Sequence, residues 1–140
     1  RFGDQECQPL LMRLAPDCDL MEIMQACVQG KLDSVNIAYR PESALCVVVS
    51  AKGYPVSYAK GMPISGIEKA EQAFPDMLKV FHAGTALKDG QVVSNGGGVL
   101  GITALGRNLK EAQDTAYAAV KMIHMPDSHY RVDIGSKGSK

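Results

Sequence analysis

The sequence predicts an α+β fold, and three observations carry that prediction. Helical periodicity dominates the chain up to Gly30, β-branched apolar runs punctuated by Gly and Pro follow from Leu32, and one amphipathic helical pattern returns after Asn108. Helices first, then strands with two helices among them, is the element order of an α+β domain. The length of 140 residues suits one average domain, or one small domain with part of a second.

Leu10, Leu11 and Leu14 begin the first helical pattern. Pro9 lacks a backbone donor and fits only the first turn, so this helix starts near Gln8 and ends before Pro16. Asp19 is an N-cap residue with Glu22 three positions on, and Leu20, Met21, Met24, Cys27 and Val28 follow at helical spacing up to Gly30. The Met and Cys stripe predicts a core-facing surface rather than a cofactor site.

The run Ala44-Leu45-Cys46-Val47-Val48-Val49 lies between Pro41 and Gly53 and reads as a buried strand. Gly53-Tyr54-Pro55 and Lys60-Gly61 are turn signals. A short helix over 67–74 is ended by Pro75, and a strand over 78–81 leads into His82-Ala83-Gly84-Thr85. Asp89-Gly90, between Ala86-Leu87 and Val92-Val93, predicts a two-residue hairpin, because both central positions need positive φ. Asn95-Gly96-Gly97-Gly98 reads as a further turn before a strand over 99–105. Asn108 caps the last helix, with Leu109, Ala112, Ala116, Val120 and Ile123 on its inner face. Residues 130–135 read as a final extended segment and 136–140 as a polar, basic tail.

Composition narrows the function classes. Hydrophobic residues at 46% and charged residues at 21% exclude a disordered chain. Fifteen basic and fifteen acidic residues give zero formal charge, against non-specific nucleic-acid binding, which needs excess Lys and Arg. No apolar run reaches the roughly 18–20 residues of a membrane span, and Asp4 and Glu6 interrupt any signal-peptide pattern at the start. A soluble, intracellular chain is expected. It opens on Arg1-Phe2-Gly3-Asp4 without a methionine and reads as a fragment.

Cysteines 7, 18, 27 and 46 form no C-x-x-C pair and read as reduced, mostly buried thiols. His82, His124 and His129 make no metal-ligand spacing. The Gly96–Gly98 cluster is not a P-loop, since no Gly-Lys-Ser/Thr follows, and a tight turn is the better reading. Asp4 and Glu6 suit either acid–base or metal chemistry or the acid-rich start of a helix. His82 alone reads as a structural histidine, and Lys52 and Lys60 as solvated. No nucleophile–base pair can be read from spacing.

Taken in order, these segments resemble the C-terminal part of the phosphoribosylamine–glycine ligase family (glycinamide ribonucleotide synthetases), ATP-grasp enzymes of purine biosynthesis. The resemblance rests on Arg1-Phe2-Gly3-Asp4, Glu6-Cys7-Gln8, Lys52-Gly53-Tyr54-Pro55, Lys60-Gly61 and above all Phe81-His82-Ala83-Gly84-Thr85-Ala86. Gly90, Asn95-Gly96-Gly97, Val99-Leu100, Thr103-Ala104-Leu105, Tyr130-Arg131 and Asp133-Ile134-Gly135 agree as well, so the matches run from residue 1 to 135.

The resemblance implies closing helices of an ATP-grasp domain over about 1–33, then a small C-terminal domain of antiparallel strands with two helices over 34–135. It implies a cytoplasmic ligase joining glycine to phosphoribosylamine, with ATP as substrate and Mg²⁺ or Mn²⁺ in the full-length enzyme. The family's metal ligands and nucleotide cradle lie upstream of Arg1, so this fragment alone is expected to bind no cofactor and to be inactive. Its partners would be glycine, phosphoribosylamine, ATP and the upstream ATP-grasp region, with no nucleic acid and no membrane. Arg1 and Asp4 would lie next to the reaction centre, and Lys60, His82, Thr85, Gly97 and Gly98 would face the phosphoribosylamine pocket. The alternative is a non-catalytic domain of the same ancestry serving folding or partner contacts.

Four positions depart from the family pattern. Gln5 stands where proline is usual, Val56 where glycine is common and Val132 where a basic residue is usual. Gly98 stands where the family carries arginine, a side chain suited to clamping a phosphate in bidentate fashion. At that turn only backbone amides and nearby lysines remain for the phosphate.

Overall fold

The computed structural model describes residues 4–138. Arg1, assigned above to the reaction centre, lies outside them, as do Phe2, Gly3 and the last two residues of the tail. The architecture is α+β. Helices α1 (Cys7–Arg13) and α2 (Leu20–Val28) and a 3₁₀ turn (Leu32–Ser34) precede strand β1 (Ser43–Ala51). Helix α3 (Ile67–Ala73), strands β2 (Leu78–His82), β3 (Thr85–Lys88), β4 (Gln91–Ser94) and β5 (Gly98–Gly106), helix α4 (Leu109–Met122) and strand β6 (Ser128–His129) follow. The main sheet is antiparallel in the order β2-β5-β1-β6, and β3 and β4 form a separate hairpin.

Local signals place most of these elements. Asp19 accepts a 2.7 Å hydrogen bond from the Met21 amide at the start of α2, and Asn108 Oδ1 accepts one of 3.0 Å from the Glu111 amide at the start of α4. Asp89 and Gly90 have φ of 51° and 77°, the doubly left-handed turn that a two-residue hairpin requires. Pro9 sits in the first turn of α1, where its missing donor leaves no bond unmade.

The sheet is covered on both faces. Leu45, Val47, Val49 and Ala51 point to one side, where they meet Leu100, Ile102 and Ala104 of β5 and the small-residue face of α4 formed by Ala112, Ala116 and Ala119. Alanines let the helix backbone approach closely, and with the strand residues they build the main core. Helix α1 packs on β1 and β5 as well, across the alternate positions Cys46 and Thr103, which form a cross-strand pair. So 44–49 is a strand with one fully buried face and one half-buried face, not a run buried throughout.

Three expectations are corrected. The stripe on α2 is not core-facing: Met21 and Val28 are 69% and 89% exposed, Cys27 is exposed, and only Ala26 is buried. Helix α2 sits off the sheet beside the 3₁₀ turn, and Leu20 and Ile23 join Leu10, Leu14 and Tyr39 in lining an apolar groove of about 200 Å³. The cysteines are accordingly less buried than expected, with Cys7, Cys18 and Cys46 half-buried, and the four form no disulfide.

Residues 130–135 form no strand. Tyr117 Oη donates to the Arg131 carbonyl (2.7 Å) and accepts from the Ile134 amide (3.1 Å), and Gln113 Nε2 donates to the Ile134 carbonyl (2.7 Å). Side chains of α4 thus satisfy the backbone groups that a neighbouring strand would otherwise take. Sheet pairing is confined to Ser128 and His129.

The glycine run is the third correction. None of Gly96, Gly97 and Gly98 adopts a left-handed φ, and Gly98 already belongs to β5. These positions are small because other groups lie against them. A Cβ on Gly97 would stand 1.8 Å from Tyr54 Cδ2, and one on Gly84 would stand 2.5 Å from the Gly98 carbonyl oxygen.

Candidate functional site

The antiparallel order brings the C-terminal ends of β1 and β2 and the N-terminal end of β5 to one end of the sheet. His82 pairs with Leu100, and Ser50 pairs with Gly98. The Ala83 and Gly84 amides both donate to the Val99 carbonyl at 3.0 Å, and the Asn95 amide donates to the Gly84 carbonyl at 2.7 Å. The His82–Thr85 turn is thereby stitched to the glycine strand. Its two polar side chains meet: His82 Nδ1 is 2.9 Å from Thr85 Oγ1. His82 is an exposed histidine with one side-chain partner, not a histidine satisfied within a core.

Lys60 reaches the same end through backbone pairing. The Gly61 amide donates to the Ser94 carbonyl (2.6 Å), the Met62 amide to Ser94 Oγ (3.0 Å), and Ser94 is the register partner of Thr85. The Lys60 side chain is exposed. Asp4 approaches from the opposite face. Its carbonyl accepts from the Cys7 amide (2.9 Å) in the first turn of α1, and the next side chain, Gln5, lies against Gly98. A Cβ on Gly98 would be 3.0 Å from Gln5 Nε2 and meets nothing else within 4 Å. Asp4, Lys60, His82, Thr85, Gly97 and Gly98, which span 95 residues of sequence, therefore stand around one end of one sheet.

Three further residues of this region belong to the motifs of the sequence but are not among those assigned to the site from it. Tyr54 lays its ring on Gly97 and makes an edge contact with Tyr58, centroids 5.7 Å apart. Gln5 fills the space beside Gly98, and Gln8 does the same at Gly101, where a Cβ would be 1.8 Å from Gln8 Oε1. Lys52, read as a solvated lysine, lines a cleft of about 590 Å³ with Tyr54, Asp127, Ser128 and His129. None of the residues singled out from sequence for the site lines that cleft.

The polar groups at this end of the sheet are an ammonium, an imidazole and a hydroxyl, with the imidazole and the hydroxyl in hydrogen-bond contact. Among the described residues no three His, Cys, Asp or Glu side chains could together hold a metal ion. No helix among them is long and apolar enough to cross a membrane.

Residues 44–137 match the family model of the phosphoribosylglycinamide synthetase C domain. The chain belongs to this family.

Similarity extends upstream of that domain. The phosphoribosylamine–glycine ligase of Brucella melitensis is 50% identical over 135 residues, which are 96% of this chain and 31% of that protein. The ligase of Rhodopirellula baltica is 49% identical over 138 residues, 98% of this chain and 31% of that protein. A chloroplastic ligase of Arabidopsis thaliana is 48% identical over 136 residues, 96% of this chain and 25% of that protein. The crystal structure of the Thermotoga maritima ligase superposes with a TM-score of 0.62 at 31% identity, covering 80% of this chain and 27% of that one. The chain thus spans about a third of the length of the curated relatives it matches.

Proposed function

We propose that this chain is the C-terminal part of an ATP-dependent ligase that joins glycine to phosphoribosylamine, and that the glycine end of its sheet forms one wall of the phosphoribosylamine pocket. The observation that carries the reading is the convergence at one end of the sheet of Asp4, Lys60, the His82–Thr85 pair and the Gly97–Gly98 backbone, drawn from four separate segments. The near 50% identity to ligases from several organisms over almost the whole chain supports it.

In such a reaction ATP phosphorylates the glycine carboxylate, and the amine of phosphoribosylamine attacks the acyl phosphate, releasing ADP, phosphate and glycinamide ribonucleotide. Lys60 supplies a cation for the substrate phosphate, and the linked His82 and Thr85 supply hydrogen bonds to it or to the ribose hydroxyls. Gly97 and Gly98 admit the Tyr54 ring and the Gln5 side chain against the backbone, so these two side chains border the pocket wall there. Asp4 is read as lying next to the reaction centre. Mg²⁺ or Mn²⁺ belongs with the nucleotide, and no step on this chain is assigned to a metal.

Residues 1–33 are read as the closing helices of the ATP-grasp domain. The family match begins only at residue 44, and α2 sits off the sheet with apolar side chains exposed, which supports that division for α2, whereas α1 packs on β1 and β5.

The test is kinetic, in the full-length parent enzyme. Removing one charge-assisted hydrogen bond costs roughly 1.5–3 kcal/mol, and each 1.4 kcal/mol is tenfold. Lys60→Met and His82→Ala should each raise the Michaelis constant for phosphoribosylamine about tenfold or more and leave that for ATP within twofold. Equal effects on both constants, or none on either, would remove these residues from the pocket.

A further inference from the structure

Gln8 is the one buried residue of α1, at 6% exposure, and it is polar. Its Oε1 accepts from Cys46 Sγ at 3.1 Å and from Thr103 Oγ1 at 3.3 Å. Thr103 is itself fully buried, and burial pushes the Cys46 thiol above its ordinary value of 9.0 while the Thr103 hydrogen bond opposes this. The carboxamide rests directly on Gly101, the one β5 position beneath it with no side chain. Helix and sheet therefore meet through a polar key in a glycine socket rather than through an interchangeable apolar contact. An apolar seam tolerates sliding, whereas two donors converging on one acceptor lose their bonds on a shift of about an ångström.

The register shows what this key sets. Cys46, Val48 and Ser50 share one face of β1, and their partners on β5 are Thr103, Gly101 and Gly98. Val49 pairs with Leu100 and Ser50 with Gly98, so Val99 is an extra residue, a bulge that returns Gly98 to the face of Gly101 and Thr103. Gln5, in the turn that leads into α1, is three residues before Gln8, and the Gln8 amide donates to the Gln5 carbonyl at 3.2 Å. Gln8 lies on Gly101 while Gln5 lies on Gly98, the turn and the start of the helix matched to one bulged stretch of strand.

We propose that Gln8 is a positioning residue: its carboxamide, seated on Gly101 and tied to Cys46 and Thr103, sets where Asp4 and Gln5 meet the glycine end of β5. The proposal rests on the functional reading above for its catalytic consequence and on the packing alone for its structural one.

The experiment has two arms. In the 140-residue chain, Cys46 labelling by a thiol reagent, followed by peptide mass, reports lifting of α1, since Cys46 lies beneath it. Gln8→Leu should raise that labelling rate at least tenfold and lower the melting temperature. Gln8→Leu/Thr103→Val removes the hydroxyl left without an acceptor, so the melting temperature should recover while Cys46 labelling stays fast. Labelling that returns to the wild-type rate together with the melting temperature would show that apolar packing alone holds α1, and would overturn the proposal.

In the full-length ligase the same double variant should lower kcat at least tenfold with the Michaelis constant for ATP within twofold, a split that a merely stabilising residue does not produce. Wild-type kcat in the double variant overturns the proposal even where Cys46 labels quickly. A wild-type parent without ligase activity overturns the functional reading instead, and the labelling arm still decides whether Gln8 positions the helix.

Discussion

Gly97 and Gly98 are adjacent, neither has a left-handed φ, and they should respond differently to a methyl group. At Gly97 a Cβ would overlap the Tyr54 ring at 1.8 Å, so the ring must leave its seat. Overpacking costs about 1–3 kcal/mol, and with Tyr54 already 51% exposed the lower end applies, about 1 kcal/mol. At Gly98 a Cβ meets only the mobile end of Gln5 at 3.0 Å. Replacing a strand glycine then gains about 0.5–1 kcal/mol from reduced freedom of the unfolded chain.

The entropic gain applies at both positions, so Gly98→Ala should exceed Gly97→Ala in stability by the overpacking cost alone, about 1 kcal/mol, or roughly 3 °C in melting temperature for a chain of this size. Thermal melts followed by far-UV circular dichroism, with urea titration for the free energies, measure it. Equal melting temperatures, or a destabilised Gly98→Ala beside a neutral Gly97→Ala, would refute the account of why these positions are glycine. In the parent ligase Gly98→Arg, with the end of Gln5 displaced, would carry a planar fork that should lower the Michaelis constant for phosphoribosylamine about tenfold.

Asn108→Ala removes the acceptor for the Glu111 amide and should cost about 1 kcal/mol, read by urea denaturation. Glu111 is held below its ordinary value of 4.5 by hydrogen bonds from the Arg107 side chain and amide. A depressed carboxylate contributes stability that is complete above its unfolded value and is lost as pH falls through the folded one, so Glu111→Gln should flatten the acid limb of the stability curve below about pH 4.5 and not above. The raised Cys46 thiol has the opposite sense: its contribution is complete below about pH 9 and falls as pH rises, so Cys46→Ala should reduce alkaline destabilisation. Thiol labelling of the native chain should modify Cys27 first, with Cys7, Cys18 and Cys46 slower; simultaneous modification of all four would contradict the burial described here.

The sequence by itself determined the elements whose cause lies within about four residues. Asp19 and Asn108 each satisfy an amide two or three positions on, Asp89-Gly90 supplies the two positive φ values of the hairpin, and Pro9 and Gly30 bracket their helices. Such signals are backbone requirements, and a local reading suffices for them. The ordered motifs likewise suffice to place the chain in its family.

Tertiary structure decided what a residue's neighbours are. The Met and Cys stripe of α2 has a helical period whether or not a sheet lies beneath it, and here none does. Glycines 96–98 look the same in sequence whether they serve a turn or make room for Tyr54, Gly84 and Gln5, partners 12 to 93 positions away. Residues 130–135 have strand composition, yet Tyr117 and Gln113 take their backbone groups first. Gln8 becomes a key only because a bulge at Val99 and a bare Gly101 meet it across the sheet. Contacts of this kind depend on which surfaces the chain brings together, a property of the closed fold and not of any window of sequence.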